Sequence, residues 1–240
     1  MDFASVTDVG KQRKNNEDSF FTYQNEKVTG GMVADGMGGC NSGEIASKMV
    51  CSIVKQHIIS EYNPKMDFME MAELIRMALR GANHEIYNVS KSEENKGMGT
   101  TATLAFIYDK RLIVAHVGDS RCYKITKDSI VQITSDHSYV NELVKSGQIS
   151  EYDAMYHPNK NVITRAIGTD INVKIDMDIK SYNGETILIC SDGLSNMISD
   201  EQIFETICEN EKLEDALNKM VELANKKGGS DNITAIAFKN

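Results

Sequence analysis

Four aspartates stand in turns at the ends of apolar runs, and their placement carries the chemical content of this sequence. Asp35-Gly36 follows Gly31-Met32-Val33-Ala34, and Gly118-Asp119-Ser120 falls in a tight turn. Asp192-Gly193 follows Ile187-Leu188-Ile189-Cys190-Ser191, and Asp231-Asn232 precedes Ile233-Thr234. An acid beside glycine at a strand end reaches over a sheet edge from rigid backbone, which is where a metal site is assembled. One such pair reads equally as an ordinary turn, because Asp and Gly are both turn formers, but four are harder to dismiss. If the carboxylates converge, their repulsion must be relieved by raised pKa values or by bound cations, and two or more divalent ions would relieve it. Oxygen donors without HExxH or paired-histidine spacing favour a hard octahedral ion, Mn²⁺ or Mg²⁺, over Zn²⁺.

Upstream, Arg13 precedes Asp18 in the polar stretch Arg13-Lys14-Asn15-Asn16-Glu17-Asp18. A guanidinium fork grips two oxygens of a phosphate, so an arginine beside a metal cluster implies an oxyanion substrate. Taken alone, the stretch reads as a solvated loop.

Elements that could position these residues follow from period and punctuation. Strands are expected over Phe3–Val9, Ser19–Tyr23 and Thr29–Ala34, then a helix from Asn41 with Ile45, Met49 and Ile53 on its apolar face. A second helix is expected from Asn63–Pro64 through Val89. Strand follows strand over Thr101–Tyr108, Leu112–Val117, Arg121–Ile125 and Ile130–Ile133, and the segment 138–168 is mixed helix and loop. Strands over Val173–Ile179 and Thr186–Cys190, helices over Asp200–Glu209 and Leu213–Lys226, and a strand over Ile233–Phe238 complete the chain. Strands come in blocks, which points to an α+β layered sandwich rather than a doubly wound sheet. No linker or repeat divides residues 1–240, so one domain is expected.

Composition excludes several functions. The chain has 240 residues with a formal net charge of −9, which argues against a binder of nucleic-acid backbones. Neither a basic leader nor an apolar run long enough for a bilayer is visible, so a cytoplasmic protein is expected. Five cysteines without CxxC spacing read as reduced, mostly core thiols.

Taken together and in order, six motifs resemble the metal-dependent serine/threonine protein phosphatases of type 2C, in their compact bacterial branch. They are Arg13-x-x-Asn16-Glu17-Asp18, Val33-Ala34-Asp35-Gly36-Met37-Gly38-Gly39, Gly99-Thr100-Thr101-Ala102, Val117-Gly118-Asp119-Ser120-Arg121, Ser191-Asp192-Gly193-Leu194 and Asp231-Asn232-Ile233-Thr234. The resemblance implies a four-layer α-β-β-α sandwich of two antiparallel sheets with helices on both outer sides. It implies that Asp35 bridges two Mn²⁺ or Mg²⁺ ions, that the Gly36 carbonyl serves one, and that Asp192 and Asp231 complete the other. Asp119, with Asp192, matches a weaker third site, Glu17 and Asp18 match acids that hold metal-bound waters, and Arg13 matches the phosphate-binding arginine. A hydroxide bridging the ions would attack phosphorus directly, with no phosphoenzyme. The segment 138–168 corresponds to a flap beside the active site. The chain departs from the pattern at Met37 and Cys40, where many relatives carry histidine. The proton for the leaving alkoxide is therefore expected from His137, from His157 or from a metal-bound water.

The expected partners are phosphorylated proteins and a cognate bacterial serine/threonine kinase, with no nucleic acid and no membrane, and the chain is expected to be a monomer. Two other readings are a catalytically silent phosphoprotein-binding module that keeps the fold, and a hydrolase of small phosphate esters.

Overall fold

Alternation along the central strands builds the layers. The computed structural model describes residues 2–38 and 42–239. Every residue of β5 (Ala102–Tyr108) and of β10 (Thr186–Cys190) is buried, so both strands are covered on both faces. Leu104, Phe106 and Tyr108 of β5 point towards α1 (Ser42–Glu61) and α2 (Phe68–Val89), while Ala105 and Ile107 meet Ile187 and Ile189 of β10. Leu188 and Cys190 of β10 face the other way, into a cluster with α6 (Asp200–Glu209) and α7 (Leu213–Lys226). Three apolar layers thus separate helices, sheet, sheet and helices, as the α+β reading expects.

Both sheets are antiparallel. One runs β1 (Asp2–Asp8), β11 (Ile233–Lys239), β10, β7 (Arg121–Ile125), β8 (Ile130–Gln132). The other runs β2 (Asp18–Gln24), β3 (Val28–Met37), β5, β6 (Arg111–Val117), β9 (Asp176–Ser181), with β4 (Gly99–Thr100) against the end of β3. Residues 138–168 leave the sheets after β8 and carry α3 (Tyr139–Lys145) and α4 (Glu151–Met155). Within this segment Ser138 bridges Ile163, and near its far end Ile167 is stitched back to Thr100 of β4. No described helix is long and apolar enough to cross a membrane. Among the described cysteines, Cys51, Cys122 and Cys190 are buried thiols and Cys208 is exposed.

Three sequence expectations are corrected. The second helix begins at Phe68 and not at Asn63–Pro64, because Asp67 caps it. The Asp67 carboxylate accepts from the N–H groups of Met69 and Glu70, each at 2.8 Å, while Glu70 accepts from the Asp67 N–H at 2.8 Å. The strand expected over Val173–Ile179 lies instead at Asp176–Ser181. Its partner β6 sets that limit: His116 pairs with Asp176, and after Val117 the chain turns towards the other sheet. In α1 the buried face is Ala46, Ser47, Val50, Cys51, Val54 and Ile58, and Ile45 is exposed. Small residues let this helix lie close on β2 and β3, which turns the bulkier Ile45 outward. The expected Asn41 cap lies outside the described residues.

The cap at Asp67 yields a stability expectation. Asp67→Ala should cost about 1 kcal/mol, read as a lower denaturation midpoint in urea, whereas Asn63→Ala should cost less. Equal losses at the two positions would place the helix start back at Asn63.

Candidate active site

Antiparallel pairing alone brings the acids together two by two. Asp18 opens β2 directly opposite Asp35 near the end of β3, and the two are register partners. On the other sheet, β10 ends where β11 begins, and Ser191 N–H donates to the Thr234 carbonyl at 2.9 Å. Asp192, which opens the short helix α5 (Asp192–Ser195), and Asp231 flank that junction. Asp119 sits in the turn where the chain crosses from β6 of one sheet to β7 of the other. Stacking the sheets face to face then gathers all five acids on one rim.

Glycines make the close approach possible. A Cβ on Gly193 would stand 1.9 Å from the Asn232 carbonyl oxygen, and one on Gly36 would stand 2.1 Å from the Gly43 carbonyl oxygen. Side chains at either position would push Asp192 away from Asp231, or the end of β3 away from the start of α1.

Backbone around the acids is held by neighbours whose roles the sequence did not announce. The Asp35 carbonyl accepts from Thr100 Oγ1 at 2.9 Å and from the Thr101 N–H at 2.8 Å, while Asp35 N–H donates to Thr101 Oγ1 at 2.9 Å. Ser191 Oγ donates to Asp18 Oδ2 at 2.7 Å and accepts from Thr234 N–H at 3.0 Å. Asn232 accepts from Glu17 N–H at 2.8 Å and donates to the carbonyls of Val9 and Asn15, each at 2.9 Å. It thereby ties the loop bearing Arg13 and Glu17 to β11. All four residues lie inside motifs quoted above; Ser191 and Asn232 stand next to an acid in sequence, whereas Thr100 and Thr101 reach Asp35 only across the sheet.

Electrostatically the rim is under stress. Asp18 and Asp119 are 7% and 8% exposed. Burial, then its acidic neighbours, pushes Asp18 up to about 7 against hydrogen bonds from Ser191 and Thr234 that pull it down. Burial raises Asp35 well above the ordinary carboxylate range, and Asp18, Asp192, Asp119 and Asp231 raise it further. Asp119 is raised well above that range by burial and by Asp192, and Asp192 is raised by burial and by Asp231 while in hydrogen-bonding reach of Asp35. Glu17 is raised chiefly by burial. Asp18 Oδ1, Asp119 Oδ1 and Asp192 Oδ1 are buried with no hydrogen-bond partner among the described residues. Among those residues no three acidic, histidine or cysteine side chains close on a common point in ligating geometry. The acids lie within Coulombic reach of one another. Buried oxygens of this kind fit a hard divalent cation, which would supply the missing partner.

Arg13 stands at the exposed lip and donates to Asp231 Oδ2 at 2.7 Å. The two histidines are placed otherwise than a proton donor requires. His137 has both ring nitrogens engaged, accepting from Gly118 N–H at 3.0 Å and pairing with Asp176 at 3.0 Å. His157 lies in the 138–168 segment against the Tyr139 ring, and its Nδ1 accepts from Asn159 N–H at 3.1 Å. Cys40 lies outside the described residues.

A family model described as Protein phosphatase 2C matches residues 10–236. The chain belongs to this family. Protein phosphatase PhpP of Streptococcus pneumoniae is 38% identical to this phosphatase over 237 residues, covering 98% of this chain and 95% of that protein. Serine/threonine phosphatase stp of Listeria innocua is 36% identical over 233 residues, covering 96% and 92%. Among solved structures, the S. agalactiae serine/threonine phosphatase superposes with a TM-score of 0.92 at 36% identity, covering 100% of this chain and 99% of that one. The catalytic domain of the serine/threonine protein phosphatase PstP in complex with 2 manganese ions superposes with a TM-score of 0.82 at 32% identity, covering 98% and 96%.

The stressed rim predicts an unusual pH dependence. With chelator present, the folded acids hold more protons than their unfolded counterparts between roughly pH 4 and about pH 7, so their contribution to stability falls as pH rises through that window, while His116 and His137, lowered by burial, contribute in the opposite sense. Between about pH 5 and about pH 7.5 wild type in chelator should therefore lose melting temperature relative to Asp35→Asn, in which the histidine contributions are the same, and Mn²⁺ should raise the wild-type value more at the higher pH. Asp35→Asn, which removes one of the repelling charges, should melt higher than wild type in chelator at the higher pH. An Asp35→Asn variant that melts no higher than wild type in chelator at the higher pH would contradict the assignment.

Proposed function

We propose that this protein serine/threonine phosphatase hydrolyses phosphoserine and phosphothreonine on proteins by direct attack of water on phosphorus at a divalent-metal centre, Mn²⁺ or Mg²⁺, without a phosphoenzyme. The observation that carries the reading is the gathering of Asp18, Asp35, Asp119, Asp192 and Asp231 on one rim with three buried carboxylate oxygens left without partners. Bound there, two cations would supply Lewis acidity that lowers the pKa of a water and withdraws charge from the phosphoryl oxygens.

The chain's own residues divide the remaining work. Asp35, the Gly36 carbonyl, Asp192 and Asp231 would hold the two ions, and Asp119 with Asp192 would hold a third more weakly. Glu17 and Asp18 sit beside this set and would orient waters with their carboxylates. Arg13 would bind the substrate phosphate. Its present partner is Asp231, and a cation on Asp231 would compete for that carboxylate and leave the guanidinium fork to the phosphate oxygens. The leaving alkoxide needs a proton, and with both nitrogens of His137 engaged and His157 turned to Asn159, water at the centre is the source these residues leave. The 138–168 segment would act as the flap beside this centre, within a single catalytic domain. In the cell such an enzyme would reverse the action of a bacterial serine/threonine kinase in the cytoplasm, working as a monomer.

Phosphate release from a phosphothreonine peptide tests the reading. Wild type should be active with Mn²⁺ or Mg²⁺ and inactive in chelator, and Asp192→Ala should lose at least about a hundredfold in kcat/KM. Arg13→Ala should raise KM roughly tenfold, the scale of a lost charge-assisted pair, and Arg13→Lys should recover only part of it. Preference for a nucleotide or sugar phosphate over the phosphopeptide would favour a small-ester hydrolase. Silence of the wild type despite cation binding would favour a binding module.

A further inference from the structure

The turn that carries Asp119 is gripped on both flanks, and one grip comes from a side chain with no part in the chemistry described so far. On the Ser120 side, Thr103 Oγ1 donates to the Ser120 carbonyl at 3.0 Å, and Ser120 Oγ meets Thr101 Oγ1 at 2.8 Å. On the Gly118 side the partner is His137. Its main-chain N–H donates to the Gly118 carbonyl at 2.7 Å, and Gly118 N–H donates to its ring Nδ1 at 3.0 Å.

That second bond fixes the ring's protons. Because Nδ1 accepts, the single proton of a neutral imidazole sits on Nε2, where Asp176 Oδ2 accepts it at 3.0 Å. Arg165 Nη1 stands 2.9 Å from the same nitrogen, but a guanidinium has nothing to accept with. Its acceptors are Asp176 Oδ1 at 2.8 Å and the Lys174 carbonyl at 3.3 Å. The His116 ring lies over His137 with centroids 4.6 Å apart, and His116 is itself locked. Thr103 spends its hydroxyl proton on Ser120, so at 2.9 Å its oxygen accepts from His116 Nδ1. His137 is therefore a buried ring held in one tautomer and aimed at one backbone amide.

The turn has no slack to absorb a change there. Gly118 has φ +111°, and a Cβ on it would stand 2.5 Å from the Thr101 side chain, so the turn is pressed directly onto the residue that precedes β5. A displacement of Gly118 is passed to the next residue, Asp119, whose buried Oδ1 has no partner among the described residues.

We propose that His137 is a positioning residue: its Nδ1 and main-chain N–H clasp Gly118, hold the Asp119 carboxylate on the acid rim, and depend on Asp176 to present the accepting tautomer. The role in the reaction rests on the reading of Asp119 as a metal ligand, whereas the clasp itself stands on the hydrogen bonds. An imidazole suits the place because it offers an acceptor and a donor on opposite sides of one rigid ring. Shorter amides separate the two functions: Asn presents an oxygen near the Nδ1 position, and Gln presents an amide near the Nε2 position.

The test compares His137→Asn, His137→Gln and wild type as full chains. In the metal-free state, nitrogen NMR of wild type should find His137 neutral with its proton on Nε2. The Gly118 amide should be protected from hydrogen exchange in wild type and His137→Asn, and should exchange at least about fivefold faster in His137→Gln, the scale of one hydrogen bond. Calorimetric titration with Mn²⁺ should then find the weakest ion bound several-fold more weakly in His137→Gln than in His137→Asn. The activity of His137→Gln should recover towards wild type as Mn²⁺ is raised. A proton on Nδ1 would overturn the proposal, as would equal Gly118 exchange in both variants, or equal loss of the weak ion in both. If wild type binds Mn²⁺ only at sites that Asp119→Asn leaves unchanged, the ligand reading of Asp119 fails, and the exchange data alone then decide the clasp.

Discussion

Mutual repulsion among carboxylates confined to one sheet rim is the constraint on which the rest of this structure depends. Five aspartates from both sheets occupy that rim, and Asp35 feels the other four. Each uncompensated buried charge costs several kcal/mol, a large share of a domain's net stability of roughly 5–15 kcal/mol, so such a rim persists only over a strong frame. The frame is the three-layer apolar packing, which fixes both sheets before any acid is placed. β5 and β10, buried on both faces, each contribute to two of these layers. Raised pKa values are one outlet for the remaining stress, and a bound cation is the other. The two compete, because a proton and a metal ion occupy the same oxygens.

Backbone hydrogen bonds convert that frame into aim. The Asp35 carbonyl receives two donors from Thr100 and Thr101, and Asn232 binds Val9, Asn15 and Glu17 of the N-terminal loop with one amide. These neutral groups do not oppose the charge of the rim; they remove the freedom with which the acids could otherwise splay apart. A rim stabilised only by a cation would relax when the cation left. One whose main chain is tied by Thr100, Thr101, Ser191 and Asn232 keeps its shape and stays receptive.

How much of this was legible in the sequence depended on the range of the interaction. The acids were legible because each announces itself locally, as a charged residue beside glycine at the end of an apolar run. The layers were legible because blocks of strands and of helices follow one another, and the order of six motifs carried the family. The supporting residues were not legible, since Thr100, Thr101 and Ser191 read as ordinary strand residues until the partner across the sheet is known. The start of α2 was misplaced because Pro64 is a strong helix-entry signal, while the decisive reciprocal bonds between Asp67 and Glu70 outweigh it. The limit of β9 could not be read from its own residues, because its partner β6 sets it. His137 is the instructive case. Its type suggested proton transfer, but the bond from an amide nineteen positions earlier assigns both its nitrogens, and no spacing rule contains that information.

The attachments of the 138–168 segment extend the same logic. Near its far end, Ile167 exchanges two backbone hydrogen bonds with Thr100, which in turn donates to Asp35. Its near end begins at His137, which bonds Gly118 beside Asp119. Both attachments therefore terminate one bond away from the backbone of a rim aspartate, although the segment's middle presents Tyr152, Met155 and Tyr156 to solvent. Pull on the segment is delivered to the main chain of Asp35 and of the Asp119 turn, not to their side chains. Small main-chain shifts are the motions to which a repelling set of carboxylates is most sensitive, because Coulomb energy between close charges in a poorly screened site changes steeply with separation. The middle of the segment is thus free to vary in sequence and surface, while its two anchors are held to the geometry that the acids require.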